Sequence, residues 1–108
     1  PDFKVDLIYG NRKREDLFYI NDFLDLAKIQ PRFRVHAQLS RMDKSEELNS
    51  HENHGYAQTA FEKLNLNTES DIVYLCGNPG MIDDSFDILT NMGFETTKIR
   101  REKYISSN

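Results

Sequence analysis

The stretch Asp71–Met81 constrains the fold most strongly, because it predicts a buried strand, a tight turn and the start of a helix in direct succession. Residues 72–76 form an apolar run rich in β-branched and aromatic side chains, which is long enough for a strand and too short for a helix. Gly77 frees the backbone to turn. Asn78 is suited to cap the next helix, and Pro79 to occupy its first position. The stretch therefore predicts one strand–turn–helix unit of an α/β sheet.

The rest of the chain alternates strands and helices in the same way. Lys4–Tyr9 and Phe33–Leu39 predict strands, and the polar residues that alternate along the second favour a sheet edge. We expect a helix from about Glu15 to Ile29, a polar loop over 42–54, a short helix from Gly55, a helix from Asn78 to Gly93 and a last strand within 94–104. The apolar residues at helical spacing are Leu17, Ile20, Phe23, Leu24 and Ala27, then Phe61 and Leu64, then Met81, Ile82, Ile88, Leu89 and Met92; Ile99 is the inward residue expected in the last strand. This order predicts a parallel sheet with helices on both faces.

The composition excludes several classes of protein. The length of 108 residues suits one small domain, and the net charge of −4 disfavours a nucleic-acid-binding surface. A single Cys excludes an intrachain disulfide framework and suits a reducing compartment, so we expect a cytoplasmic protein. No apolar run approaches the roughly 18 residues of a membrane-spanning helix. The chain does not begin with Met, and we expect it to be part of a longer protein.

Candidate binding residues follow the predicted strands, where open parallel sheets bind ligands. Cys76 and Gly77 combine a small side chain with bare backbone, which would let a flat ring approach; the alternative is a buried structural Cys. Gly10-Asn11-Arg12 could form a cationic rim for a phosphate, or an ordinary turn with a solvated Arg. Ser40-Arg41 offers a hydroxyl and a guanidinium, a pair suited to phosphate, or simply a surface Arg after a strand.

Three segments resemble the ferredoxin–NADP reductase family. Cys76–Met81 is similar to its Cys-Gly-x-x-x-Met segment, Tyr9–Arg12 to its Tyr-Gly-Asn-Arg string, and Leu39–Arg41 to the Ser-Arg strand end of its NADPH-using members. These enzymes carry an FAD-binding barrel followed by a Rossmann-like nicotinamide-nucleotide module. The resemblance implies a partial NAD(P)-binding domain over 1–104 with a tail at 105–108. It implies NADP(H) as cofactor, with NAD(H) as the alternative, and hydride exchange with an FAD held elsewhere in the parent protein.

The resemblance also implies roles for individual residues. Cys76 and Glu102 are the implied catalytic residues, because Glu102 and Tyr104 match a Glu-x-Tyr that ends the last strand in many plant-type members. The implied cofactor-binding residues are Gly10, Asn11, Arg12, Ser40, Arg41, Tyr56, Gly77, Asn78, Pro79, Met81 and Tyr104. The implied partners are the FAD-binding domain of the parent and a ferredoxin or flavodoxin-type electron acceptor.

The chain lacks the family's first strand and helix, its Gly-rich phosphate turn and its FAD barrel, so it is not expected to bind FAD alone. In the family's strand order the missing strand would lie between the strands at 4–9 and 72–76. Unpaired backbone groups facing an open gap would be unfavourable. We therefore expect a strand to be supplied from elsewhere, by strand exchange or in a homodimer.

Two other functions are considered from the residues alone. A non-catalytic nucleotide-sensing or protein-interaction domain could use the same fold, since fold does not establish function. A receiver-like domain is disfavoured because no acidic cluster follows the first strand. His51, Glu52 and His54 have the spacing of half a metal site, but no Cys lies near them and we expect no metal.

Overall fold

The computed structural model of the protein describes residues 3–17, 19–42, 45–55 and 60–103. Within these ranges the elements are β1 Lys4–Asn11, α1 Ile20–Ile29, β2 Phe33–Leu39, β3 Glu52–His54, α2 Ala60–Leu64, β4 Asp71–Gly77, α3 Pro79–Met92 and β5 Ile99–Lys103. Single turns of 3-10 helix occupy Arg14–Asp16 and Thr96–Lys98. None of the helices in these ranges has the length and apolar character needed to cross a membrane.

The strands form one parallel sheet in the order β3-β2-β1-β4-β5, which confirms the predicted α/β architecture. Alternate strand residues point to opposite faces, and each face carries its own hydrophobic core. The core on the α1 face contains Leu7, Tyr9, Leu17, Val35, Ala37, Leu39 and Cys76, with Ile20, Phe23, Leu24 and Ala27 of the helix region packed against it. The core on the α2 and α3 face contains Ile8, Phe61, Val73, Leu75, Ile82, Leu89, Phe94 and Ile99.

The expected gap in the sheet is absent, so that prediction was wrong. Strands β1 and β4 pair directly with each other, in a register that runs from Lys4 opposite Asp71 to Gly10 opposite Gly77. Both strands carry apolar residues on each face, and direct pairing satisfies the backbone groups that a gap would leave exposed. The argument for strand exchange or a homodimer depended on that gap and does not apply to this sheet.

The first helix begins later than the sequence pattern predicts. The segment expected to be helical from Glu15 forms a 3-10 turn, and α1 starts only at Ile20. The side-chain amide of Asn11 donates a hydrogen bond to the carbonyl oxygen of Asp16 at 2.9 Å, which removes that acceptor from a continuing helix. Tyr19 then adopts a left-handed backbone with φ of 63° immediately before α1. The apolar residues keep their inward positions although the helix is interrupted.

Two predictions were wrong because of one short strand, β3: that β2 is a sheet edge, and that residues 42–54 are a loop throughout. Strand β3 pairs with the end of β2, with Ala37 opposite Glu52 and Leu39 opposite His54, so β2 is not an edge. The polar stretch 42–54 therefore ends in a strand rather than continuing as loop. Its polar composition gave no apolar signal, because Glu52 is buried through an ion pair and not through apolar packing.

The helix after the central strand follows its sequence signals. Asn78 caps α3 and Pro79 is its first residue, while Gly93 ends it with φ of 109°, as predicted. The exception is Met92, which is largely exposed. The last strand begins at Ile99 and not near Phe94, because Thr96–Lys98 forms a 3-10 turn first. Ile99 is buried, as expected.

Replacing the cap of α3 should measurably weaken the fold. The Asn78 side-chain oxygen accepts a hydrogen bond from the backbone N–H of Gly80 at 2.9 Å. We expect Asn78→Ala to lower the free energy of unfolding by about 1 kcal/mol, measured by urea denaturation. Asn91→Ala, an exposed substitution in the same helix, is the control and should leave that free energy nearly unchanged or raise it slightly. Equal losses in the two variants would contradict the capping role.

Candidate functional site

A cleft of about 270 Å³ opens at the carboxyl ends of the strands. The ends of β1 and β2, the residue after β3 and the first turns of α3 contribute to its walls. Its lining residues are Gly10, Asn11, Arg12, Gln38, Ser40, Arg41, Gly55, Asn78, Met81 and Asp84. Most of the predicted cofactor-binding residues thus meet in one place, as expected for an open parallel sheet.

Two arginines stand side by side at this cleft because the β1–β2 ladder continues beyond the strands. The backbone N–H of Ser40 donates to the carbonyl oxygen of Asn11 at 3.0 Å, and that of Arg41 donates to the carbonyl oxygen of Arg12 at 2.8 Å. Both arginine side chains are exposed, and neither forms an ion pair within the described part of the chain. The strand ends therefore offer two guanidinium groups to an anionic ligand. The Ser40 hydroxyl beside them donates a long hydrogen bond to the Asn11 carbonyl oxygen at 3.5 Å and would have to turn from it to donate to a ligand.

The Asn11 side chain forms hydrogen bonds within the turn that follows β1. Its amide nitrogen donates to the Asp16 carbonyl at 2.9 Å, and its side-chain oxygen accepts from the backbone N–H of Arg12 at 2.9 Å. Both ends of the amide are therefore engaged within the turn after β1. Asn11 therefore holds the Arg12 backbone in place.

The amino end of α3 forms the opposite wall. Asn78, Met81 and Asp84 line the cleft from this helix, whose positive dipole end favours anions. Gly77, the last residue of β4, packs against Gly10 so closely that a Cβ at Gly77 would be 2.0 Å from the Gly10 carbonyl oxygen. Position 77 must therefore be a glycine, because a side chain there would collide with the backbone of β1. Asp84 is an acidic group in the lining, and sequence reasoning did not single it out for the site.

The two predicted catalytic residues lie outside the cleft lining. Cys76 is fully buried in the core of the α1 face, beside Tyr9 on β1 and Glu102 on β5 in the strand register. Glu102 is exposed and accepts a hydrogen bond from the Tyr74 hydroxyl at 3.4 Å. Burial raises the pKa of Tyr74, and the neighbouring Cys76 and Glu102 raise it further. The catalytic roles of Cys76 and Glu102 stay predictions.

The remaining predicted residues fall into two groups. Gly77 and Pro79 are next to the cleft without lining it. Tyr56, Tyr104 and the tail at 105–108 lie outside the described residues.

An ion pair that sequence reasoning missed joins the turn after β1 to β3, beside the cleft. The Arg14 guanidinium forms a fork with Glu52, with Nε 2.7 Å from Oε2 and Nη2 2.7 Å from Oε1. The backbone N–H of Asn49 also donates to Glu52 at 2.8 Å. The hydrogen bond from Arg14 lowers the pKa of Glu52 to about 2. These partners occupy the carboxylate considered above as half a metal site, and the described residues contain no cluster of three metal-ligating side chains.

A sequence model of one protein family matches most of the chain. Its description is oxidoreductase NAD-binding domain, and the match covers residues 1–86. No curated protein sequence matches the chain.

Solved structures of reductases share the fold. A cytochrome P450 reductase of Amycolatopsis, GcoB, is similar with a TM-score of 0.67 and 20% identity over 98% of this chain and 39% of its own. A ferredoxin NADP+ reductase from Neisseria gonorrhoeae, with bound FAD and NADP, has a TM-score of 0.62 and 19% identity over 95% of this chain and 57% of its own. The CS-b5R domains of human Ncb5or, in the NAD+ form, have a TM-score of 0.63 and 23% identity over 91% of this chain and 28% of their own. The chain thus spans less than two thirds of each of these proteins.

Proposed function

The chain belongs to the oxidoreductase NAD-binding domain family, and on that premise we propose that it is the nicotinamide-nucleotide-binding module of a ferredoxin–NADP(H) reductase-like flavoprotein. The module would hold NADPH so that its nicotinamide can exchange hydride with an FAD bound elsewhere in the parent protein. By itself it would bind nucleotide without completing a redox reaction. We further propose the cytoplasm as its location, because a chain with a single Cys cannot form an intrachain disulfide and suits a reducing compartment.

The paired strand ends carry the proposal. The backbone hydrogen bond from Arg41 to Arg12 brings two arginines, neither of them ion-paired within the described residues, into the cleft lining with Ser40 and the first turns of α3. This donor set fits the phosphates of a nucleotide, because planar guanidinium groups grip phosphate oxygens in pairs. In the proposed assignment Ser40 and Arg41 hold the 2′-phosphate of the adenosine. Arg12 and the amino end of α3 then face the remaining phosphates.

The flavin side of the proposal depends on partners beyond this chain. We propose that an FAD-binding domain of the parent supplies the flavin and that ferredoxin or a flavodoxin-type protein accepts the electrons. The Neisseria reductase, whose structure holds both FAD and NADP, supports this pairing by analogy. Cys76, Gly77 and Glu102 would then lie on the side of the module that receives the nicotinamide and the flavin.

The experiment that tests nucleotide recognition compares 2′-phospho-AMP with AMP by isothermal titration calorimetry. We expect 2′-phospho-AMP to bind more tightly, because charge-assisted contacts to the extra phosphate each stabilise binding by roughly 1.5–3 kcal/mol. Arg41→Ala should weaken 2′-phospho-AMP by about 10- to 100-fold and AMP only slightly. Arg12→Ala should weaken both ligands.

A matched variant controls for the loss of positive charge. Arg100→Ala removes an exposed arginine on β5, outside the cleft lining, and should leave both affinities nearly unchanged. Equal affinity of the wild type for the two ligands would replace NADP(H) by NAD(H) in the proposal. Binding of neither ligand would overturn it and favour a non-catalytic interaction domain.

A second candidate function is a nucleotide sensor without redox chemistry, favoured by one observation. The Cys76 thiol is fully buried in the core of the α1 face rather than open to the cleft. The two functions differ in the parent protein, where the reductase would show NADPH oxidation with bound flavin. A sensor would bind nucleotide and show no flavin absorbance.

A further inference from the structure

We propose that the Arg14–Glu52 ion pair positions the outer wall of the cleft, a role that rests on the proposed nucleotide function. The pair connects the turn after β1 to β3, the short strand at the outer side of the sheet. Arg12 lies two residues before Arg14, and Gly55 lies three residues after Glu52; both line the cleft. One ion pair therefore ties together two lining segments that are distant in sequence.

The geometry of the pair is that of a rigid connection. The Glu52 side chain is only 1% exposed, and both of its oxygens receive hydrogen bonds from the guanidinium at 2.7 Å. A second hydrogen bond joins Arg14 Nη2 to the carbonyl oxygen of Glu47 at 3.0 Å, so the same guanidinium also holds the loop before β3. Bidentate pairs of this kind restrict orientation as well as distance.

Within the described residues, backbone hydrogen bonds to β2 are the other contacts that hold this wall. Strand β3 spans three residues, Glu52–His54, and its backbone is attached through a few bonds to β2. Among these, the N–H of Ala37 donates to the carbonyl oxygen of His51 at 2.8 Å, and the N–H of Gly55 donates to that of Leu39 at 3.0 Å. A three-residue edge strand is a weak element by itself. Loss of the ion pair should therefore loosen Gly55 and widen the cleft on this side.

The test uses Arg14→Gln, with Lys13→Gln as the matched control. Lys13 is an exposed neighbour with the same charge and no ion pair in the described ranges. At a temperature where all variants are fully folded, Arg14→Gln should weaken AMP and 2′-phospho-AMP equally, by about tenfold. Lys13→Gln should change both affinities by less than about twofold. A conservative variant, Arg14→Lys, should recover part of the affinity because it keeps a charge near Glu52.

A second readout needs no ligand. Amide hydrogen exchange at Gly55 should be at least about tenfold faster in Arg14→Gln than in Lys13→Gln, while exchange in β1 and β4 stays the same. Unchanged affinities in folded Arg14→Gln, together with unchanged exchange at Gly55, would overturn the positioning role. Failure of the wild type to bind either nucleotide would instead reject the proposed function, and the exchange experiment would still decide whether the pair holds the wall.

Discussion

Gly77→Ala is expected to lower the free energy of unfolding by more than about 4 kcal/mol, the largest effect of any substitution considered for this protein. A Cβ at this position would lie 2.0 Å from the Gly10 carbonyl oxygen and 3.2 Å from the Met81 methyl carbon. The obstacle is backbone, and β1 and β4 are joined by ladder hydrogen bonds that prevent it from moving away. The φ of +128° adds strain that only glycine avoids.

Substitutions of two other glycines show how much of the expected loss at Gly77 comes from the steric clash and how much from its positive φ. Gly93 has φ of +109°, but a Cβ there would meet only a Thr68 methyl at an ordinary 3.7 Å. Gly93→Ala should therefore cost about 1 kcal/mol through its backbone alone. Gly80 lies in the first turn of α3, where a Cβ would meet only the Asn78 side-chain oxygen at 3.3 Å. Gly80→Ala should change the free energy of unfolding by less than about 1 kcal/mol.

This series also tests the pairing of β1 with β4. The contact between Gly77 and Gly10 exists only if no strand lies between them. The free energies are measured by urea denaturation, with circular dichroism and soluble yield as readouts if Gly77→Ala does not fold. A Gly77→Ala variant as stable as Gly93→Ala would mean that another strand separates β1 from β4.

Asp6→Asn is expected to lower the free energy of unfolding at pH 7 by about 2 kcal/mol. The Asp6 side chain is fully buried and lies 2.7 Å from Arg34 Nε and 3.3 Å from His36 Nε2. Arg34 Nη2 also donates to Asp6 at 3.0 Å. The Asn side chain has the shape of the carboxylate but carries no charge. Its NH2 group can only donate hydrogen bonds, so it would face the N–H groups of Arg34 or His36 without an acceptor. Because the Arg34 side chain is 40% exposed, water can rehydrate it and limits the loss.

The difference between wild type and Asp6→Asn should depend on pH in one direction. Burial alone would raise the pKa of Asp6, but hydrogen bonds and charge from His36 and Arg34 lower it below the usual 3.8. A depressed pKa in the folded state stabilises the fold above pH 3.8, and this contribution is lost as pH falls through the folded-state pKa. The two proteins should therefore converge in stability as pH falls from 3.8 through the lower folded-state pKa.

An exposed aspartate provides the comparison. Asp25 on α1 forms a 3.9 Å pair with Lys28, and both side chains are largely exposed. Asp25→Asn should change the free energy of unfolding by less than about 1 kcal/mol at any pH between about 3 and 7. A difference between wild type and Asp6→Asn that does not shrink as pH falls below 3.8 would show that the Asp6 charge does not stabilise the fold.

Much of the site could be predicted because its residues belong to strand ends and a helix start that are visible in sequence. The apolar run before Gly77 and the cap at Asn78 place a turn at the carboxyl edge of the sheet, and the strands ending at Asn11 and Leu39 place Arg12 and Arg41 at that same edge. Parallel pairing brings these ends together regardless of the loops between them. Gln38 and Asp84 were missed because nothing local marks a residue as lining a cleft.

The sequence by itself determined most of the strands and helices, because apolar periodicity and the Asn78, Pro79 and Gly93 signals act over a few neighbouring residues. The short polar strand β3 was the exception. Only the tertiary structure decided which strands pair and which distant side chains come into contact. Direct pairing of β1 with β4 depends on backbone groups that every sequence carries, and the burial of Glu52 depends on Arg14, 38 positions away. Such contacts leave no periodic pattern in the chain, since their free energy arises only when distant segments meet.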